Sequence, residues 1–331
     1  MKAILAKQPG GVEQLTFVDL PIPQPKENEL LIKVHSTACN RADLIQRRGF
    51  YPPPPGVTDV LGLEFAGVVE KVGDHCQKNW KPGDRVFGIL PGGGYAEYVV
   101  TPAELVMPIP DSLSFVQAAA IAEAFLTAHQ TLFWIGQLKA NETVLIHAGA
   151  SGVGSAAIQL AHSVGARVIT TVGSDQKAAF CQSLGANHTI NYRNGPFLPE
   201  VLKVTDDQGV ELILDFVGAS YFKENIKALQ TDGRLVLIGT LGGSKVESAS
   251  LLTILMKRLK ILGTTLRSRS VEYKAKLTED FVSSFLPLFE TGKLKPIVDR
   301  VFPWTQVKEA HLYMESNQHM GKIVLQIIEK I

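Results

Sequence analysis

A short glycine-rich turn carries the clearest chemistry in this sequence. It reads His147-Ala148-Gly149-Ala150-Ser151-Gly152-Val153-Gly154. The residues before it, Thr143-Val144-Leu145-Ile146, form a short apolar, β-branched run, as a parallel strand buried on both faces requires. After it, Val153, Ala156, Ala157, Leu160, Ala161 and Val164 recur at helical spacing. Glycines at 149, 152 and 154 let the turn close and let a ligand approach the backbone. The helix start offers unpaired N–H groups and the positive end of a dipole, which suits an anion. Between a strand and a helix, with a second strand following, that anion is the pyrophosphate of a dinucleotide. The pattern departs from Gly-x-Gly-x-x-Gly at its middle position, where Ser151 stands. A hydrolase elbow would need Gly-x-Ser-x-Gly, and Val153 fills the last of those places, so Ser151 is a poor nucleophile.

The end of the second strand selects the dinucleotide. A site that prefers NAD places Asp or Glu there, to bond the ribose 2′-hydroxyl. Here the strand runs out through Thr171-Val172-Gly173-Ser174-Asp175-Gln176-Lys177, with no acid at its end. Ser174 stands where a helix N-cap belongs. Lys177 lies one turn into that helix, placed to neutralise a 2′-phosphate. Asp175 opposes such a phosphate, although a first-turn acid also faces the dipole of its own helix. The alternative for Lys177 is a solvated surface lysine. The expected cofactor is NADPH.

Bulk properties bound the remaining classes. A chain of 331 residues has room for two domains and a large core. The net charge of +1 gives no electrostatic case for nucleic acid or an anionic membrane as the main partner. Cys39, Cys76 and Cys181 are scattered, with no C-x-x-C, which points to a reducing, cytoplasmic setting without disulfides. The first residues do not read as a signal peptide, and no apolar run approaches the roughly 18 residues of a membrane span.

The elements around the turn follow from periodicity. Residues 1–110 read as short strands at 2–6, 15–19, 29–36, 64–72, 85–90 and 94–100, separated by Pro and Gly turns. This half suggests a small, partly open barrel, with Pro52 to Pro55 as a stiff rim or lid. Ser114 caps a helix through Ala118–Ala120, and a second helical segment holds Phe125, Leu126, Thr127, Leu132 and Phe133. Strands at 143–147, 167–172, 188–192, 211–217, 234–240 and 260–266 then alternate with helices near 153–164, 175–184, 197–205, 221–229 and 248–257. Such alternation makes an α/β fold with a doubly wound, six-stranded parallel sheet, whose ligands sit at the carboxyl ends of the strands. A long helix over 271–290, a strand near 297–302, a helix near 305–316 and a strand at 322–328 complete the chain. The simplest packing returns this tail to the first domain.

Several motifs outside the turn carry a family resemblance that spans the whole chain. They are Asn40-Arg41-Ala42-Asp43-Leu44, Tyr51 with its Pro run, Leu61-Gly62-Leu63-Glu64, Leu90-Pro91-Gly92-Gly93-Gly94, His147 to Gly154, Asn191-Tyr192 and Gly321-Lys322-Ile323-Val324. With these, the chain resembles the zinc-free medium-chain dehydrogenase/reductases, and among them the NADPH:quinone oxidoreductases related to zeta-crystallin. The resemblance implies a GroES-like β-barrel catalytic domain over 1–122 plus 267–331, and a Rossmann NADPH-binding domain over 123–266. It implies a homodimer, or a tetramer, built by joining Rossmann sheets edge to edge. Zinc-dependent relatives place Cys in Cys-x-x-Asp and His in Gly-His-Glu. Here Asn40-x-x-Asp43 and Gly62-Leu63-Glu64 stand in those places, and an amide is a poor zinc ligand while Leu is none. The expected metal set is therefore empty, which disfavours alcohol oxidation and leaves acceptors that take hydride readily.

A quinone is such an acceptor, because reduction makes it aromatic. The reaction needs positioning more than a strong acid or base. By resemblance, Asn40, Asp43 and Tyr51 line the substrate side, with the Asn40 amide and the Tyr51 hydroxyl donating to a quinone oxygen. The plainer alternatives are that Asn40 and Asp43 close a turn and cap a short helix, and that Tyr51 packs in the lid. Also by resemblance, Thr127, Val217, Ile238 and Leu266 touch the nicotinamide. Gly149, Ser151, Gly152, Val153 and Gly154 hold the pyrophosphate, Gly173, Ser174, Lys177 and Tyr192 surround the adenosine phosphate, and Lys322 reaches the phosphates from the tail. The eight histidines show no metal spacing, and His147 is expected to pack beneath the turn. Two further readings are a reductase of activated alkenes and a weakly catalytic NADPH-binding protein with a structural or RNA-binding role.

Overall fold

The structure, a computed structural model, describes residues 1–76 and 79–328, so the last three residues of the 267–331 segment lie outside the described residues. Two compact units divide the chain: Met1–Leu126 with Leu266–Ile331, and Thr127–Thr265. The first unit begins with strands β1 (Lys2–Ala6), β2 (Leu15–Asp19), β3 (Glu29–Ala38), β4 (Glu64–Val72), β5 (Arg85–Ile89), β6 (Tyr98–Pro102) and β7 (Val106–Pro108). Its helices are α1 (Arg41–Arg47) and α2 (Phe115–Ala118), and α3 (Ala122–His129) follows. The second unit alternates β8 (Thr143–Ile146), α4 (Gly152–Ser163), β9 (Arg167–Val172), α5 (Asp175–Ser183), β10 (His188–Asn191), α6 (Leu198–Val204), β11 (Val210–Asp215), α7 (Ala219–Ala228), β12 (Leu229–Leu237), α8 (Leu251–Met256) and β13 (Lys260–Gly263). The tail adds α9 (Val271–Ser284), α10 (Leu286–Glu290), β14 (Val298–Pro303), α11 (Val307–Glu315) and β15 (Lys322–Gln326).

In the second unit the sheet order is β10-β9-β8-β11-β12-β13, every pair parallel. Strand order reverses between β8 and β11, the place where such sheets open a crevice for a nucleotide. Leu145, Ile169, Ile213 and Leu235 form the central apolar layer, with Phe197 and Val201 packed on it. In the first unit a sheet of order β14-β15-β3-β4-β5-β7, with β6 also paired to β3, curls around a core of Leu30, Ile32, Val34, Phe65, Val69 and Val86. A second cluster joins Ile4, Leu61, Tyr95, Trp304 and Ile323 beneath β1, β2 and α11.

Three elements depart from expectation. The helix expected over 271–290 breaks at Phe285, because Pro287 in the first turn of α10 lacks an N–H and excludes the preceding turn. The strand expected at 94–100 begins only at Tyr98, since Gly94 and Tyr95 donate their N–H groups to Gly62 and Leu61 instead. The segment after α3, Gln130–Ile135, winds as a π-helix, which sequence periodicity does not distinguish.

The glycine turn is closely packed. A Cβ at Gly149 would fall on Thr170 Oγ1, and one at Gly154 on the Ala148 carbonyl. Thr170 cannot yield freely, because its hydroxyl donates to the Ile146 carbonyl at 2.6 Å. Replacing Gly149 with Ala is therefore expected to destabilise the protein by about 1–3 kcal/mol, the range for overpacking. Urea unfolding of the variant checks this, and an unchanged midpoint would contradict it.

Candidate active site

In the second unit, a buried polar chain fixes the strand ends that carry the turn. The Asp215 carboxylate accepts hydrogen bonds from the N–H groups of Val217 (2.7 Å) and Gly218 (3.0 Å) and from Asn225 Nδ2 (3.0 Å). Asn225 Oδ1 then faces His147 Nε2 at 2.7 Å, and His147 Nδ1 faces Thr171 Oγ1 at 2.9 Å. This order assigns the proton to His147 Nε2 and makes Nδ1 the acceptor. Burial pushes the His147 imidazole down to about 4, so it stays neutral beneath the turn, as the sequence suggested. Ile238 donates its N–H to the Asp215 carbonyl at 2.8 Å, which places Val217 and Ile238 on adjacent strand ends. Sequence reading missed Asp215 and Asn225, since neither sits in a motif.

Above this chain, Ala148 holds a φ of 51°, a left-handed conformation that a residue with a Cβ seldom adopts. Ser151 is the N-cap of α4, and its Oγ accepts the Gly154 N–H at 3.0 Å. Gly152 and Val153 fall in the first turn, where no carbonyl of the same helix can serve their N–H groups. At the end of β9, Ser174 caps α5 and accepts the Lys177 N–H at 3.2 Å. Asp175 is engaged by Asn191 Nδ2 at 2.9 Å. The Tyr192 hydroxyl lies close against Gly173, so a side chain there would displace it, and the Tyr192 side chain is exposed. Thr127 is buried in α3, and its carbonyl accepts the Thr131 hydroxyl at 2.7 Å. These donors and this open tyrosine fit a phosphorylated dinucleotide.

The first unit contains a second buried polar cluster. Lys322 Nζ donates to Asn40 Oδ1 (2.6 Å), Glu64 Oε1 (2.8 Å) and the Cys39 carbonyl (3.1 Å). Asn40 Nδ2 donates to Glu64 Oε1 (2.8 Å) and the Ala38 carbonyl (3.3 Å). Glu64 Oε2 accepts the Glu123 N–H at 2.9 Å. Two expectations are corrected here. Lys322 does not extend toward phosphates, because all three of its ammonium protons are spent within the first unit. The Asn40 amide is not a free donor for an acceptor oxygen, because both of its N–H groups are engaged.

Asp43 is corrected in the same way. It is 0 % exposed, and its carboxylate accepts the N–H groups of Asn40 (2.7 Å) and Gly62 (3.1 Å) and the Tyr95 hydroxyl (3.3 Å). Burial lifts it to about 6, tempered by the two backbone donors. It closes the cap of α1 and pins the Gly62 turn. Tyr95 continues inward to His311 Nε2 (3.2 Å), whose Nδ1 meets Arg47 (3.2 Å), which pairs with Glu315.

The Tyr51 hydroxyl takes no part in this cluster. The Tyr51 ring is half-buried under the Arg267 guanidinium, 5.0 Å away, and its hydroxyl has no hydrogen-bond partner among the described residues. Arg267 also donates to the Pro91 carbonyl (2.6 Å), Gln46 Oε1 (2.7 Å) and the Tyr51 carbonyl (3.3 Å). One side chain thus holds α1, the Tyr51 segment and the 90–94 loop together. Leu266, just before it, is buried in the same unit. Sequence reading missed Arg267, Glu64 and Glu123. Cys39 and Cys181 are buried, and burial pushes both thiols up to about 12. No group of three or more His, Cys, Asp or Glu side chains suited to a metal occurs among the described residues. An ammonium stands beside Glu64 instead.

Comparison with known proteins decides the family. The model for the alcohol dehydrogenase GroES-like domain matches residues 26–111, and the model for the zinc-binding dehydrogenase matches residues 152–283. Human quinone oxidoreductase is 31% identical over 328 residues, covering 98% of this chain and 97% of that protein. The chain belongs to the quinone oxidoreductases of the medium-chain dehydrogenase/reductase family. Escherichia coli quinone oxidoreductase complexed with NADPH superposes with a TM-score of 0.89 at 30% identity, over 98% of this chain and 100% of that one. CurK enoyl reductase gives 0.86 at 30% identity, over 98% of each chain.

The Glu64–Lys322 pair gives a direct test. Lys322→Met leaves a buried carboxylate without its cation, and is expected to cost about 3–5 kcal/mol. Adding Glu64→Gln removes the stranded charge and is expected to restore most of that loss. Denaturant unfolding of both variants measures it, and equal losses would refute the pairing.

Proposed function

We propose that this chain is an NADPH-dependent quinone oxidoreductase that needs no metal. The observation that carries the reading is full-length kinship with quinone oxidoreductases, joined to a barrel site where Asn40 and Leu63 stand in the places of zinc ligands and Lys322 Nζ binds Asn40 and Glu64. Bound NADPH would supply hydride from its nicotinamide C4. The first turn of α4, with Ser151, Gly152 and Val153, would hold the pyrophosphate. Ser174, Lys177 and Tyr192 would receive the adenosine 2′-phosphate, and Lys177 supplies the charge. Thr127, Val217, Ile238 and Leu266 would seat the nicotinamide. The Tyr51 hydroxyl would donate to an acceptor oxygen, steadied by Arg267. Kinship with an enoyl reductase supports a second reading, reduction of activated alkenes.

The test is NADPH consumption against a panel of quinones, enones and aldehydes. Turnover confined to quinones is expected, and turnover of enones alone would favour the second reading. Cofactor binding without any turnover would leave only a binding role. Lys177→Ala should weaken NADPH about tenfold, roughly 1.4 kcal/mol, and leave NADH nearly unchanged. Equal loss for both would remove Lys177 from the phosphate.

We further propose a homodimer through β13. That strand is the sheet edge, with an unpaired row of backbone groups. Beside it in sequence, α8 exposes Leu251, Leu252, Leu255 and Met256, each at least 66% accessible. Such an apolar surface supports an interface. Sedimentation should give a dimer that Leu255→Glu converts to monomer. A monomeric wild-type protein would end this reading.

A further inference from the structure

Glu123 lies in the first turn of α3, set among other charged groups of the first unit. Its N–H is spent on Glu64 Oε2 at 2.9 Å. Its carboxyl group has no hydrogen-bond partner among the described residues, and most but not all of its surface is covered. Six charged or titratable groups surround it: Glu64 on β4, Asp43 on α1, Lys322 on β15 and Lys274 on α9, with Arg267 and Tyr51 from loops. The carboxylate of Glu64 already holds Lys322, and the charges of Lys322 and Lys274 offset only part of what burial and Glu64 do to Glu123. Thr127 lies four residues on, one turn along the same helix face.

From this placement we infer that Glu123 is the acid of the site, holding as a carboxylic acid the proton that the acceptor oxygen needs. The inference rests on the quinone reductase reading. Reduction adds a hydride to the quinone and leaves an oxyanion. The O–H bond of Glu123 breaks as the O–H bond of the hydroquinone forms, and the resulting carboxylate regains its proton from water. Electrons come from the hydride alone, so the step needs no other reductant. Burial, with the Glu64 carboxylate second, holds Glu123 protonated up to about 8. A catalytic acid is most useful when it releases its proton near the working pH. Burial instead pushes the Tyr51 phenol above its usual range, which makes it a donor but a weaker acid.

The test uses the full chain, with quinone turnover measured from pH 6 to 9.5 in wild type, Glu123→Gln and Glu123→Asp. Wild-type kcat should fall with a slope approaching tenfold per pH unit above about 8, as the acid is lost. Glu123→Gln should lose at least about tenfold at neutral pH and lack that limb, while Glu123→Asp keeps it. A limb surviving in Glu123→Gln, or wild-type kcat there, overturns the proposal. Infrared spectroscopy supplies a readout without turnover. The carbonyl band of a protonated carboxylic acid, present in wild type and missing in Glu123→Gln, should vanish as pH rises through about 8. No such band at neutral pH overturns the proposal whatever the activity. A titrating band with no quinone turnover overturns the quinone reading and, with it, the delivery step.

Discussion

A buried ion pair organises the barrel site. Glu64 and Lys322 are 258 residues apart in sequence, yet their charged atoms lie 2.8 Å apart with almost no exposure. Neither charge is tolerable alone in that setting, so each dictates where the other must be. The remaining oxygens and protons then recruit Asn40 at the cap of α1, the Cys39 carbonyl and the Glu123 N–H of α3. Strands β4 and β15 and helices α1 and α3 are therefore indexed to one another by hydrogen bonds. Apolar packing alone, which tolerates sliding, would not set them so closely.

The nucleotide sheet uses the same principle with neutral groups. Asp215, Asn225, His147 and Thr171 form an ordered line of donors and acceptors across the ends of β11, β8 and β9. Above that line the chain takes a left-handed step at Ala148, a conformation that persists only where its neighbours hold it. Both candidate surfaces thus rest on saturated polar layers. The groups these layers do not consume include the first N–H groups of α4, the Tyr192 side chain, the Tyr51 hydroxyl and the Glu123 carboxyl.

The sequence made the periodic features legible. Six parallel strands separated by helices could be placed within a few residues, because period and turn residues are local signals. The N-caps Ser151 and Ser174 were equally plain, being single residues with a fixed task. What stayed hidden was partnership at long range. Nothing near Lys322 in sequence says that its ammonium turns toward Glu64, so a phosphate looked as plausible. Asn40 and Asp43 carried a family pattern that suggested ligand contact, whereas the fold spends them on a cap, a turn and a lysine. The break at Phe285 was written in Pro287 and was overridden by the apolar periodicity on either side.

The buried thiols have a consequence for a protein that handles electrophiles. Quinones add readily to thiolates, and the thiolate is the reactive form of cysteine. Cys39 sits within the barrel cluster and Cys181 on α5 beside the nucleotide sheet, both held as thiols by burial. These two sulfurs are consequently shielded from covalent capture by the compounds the protein is proposed to reduce. Self-inactivation through them is suppressed by burial, without any need to exclude cysteine from the chain.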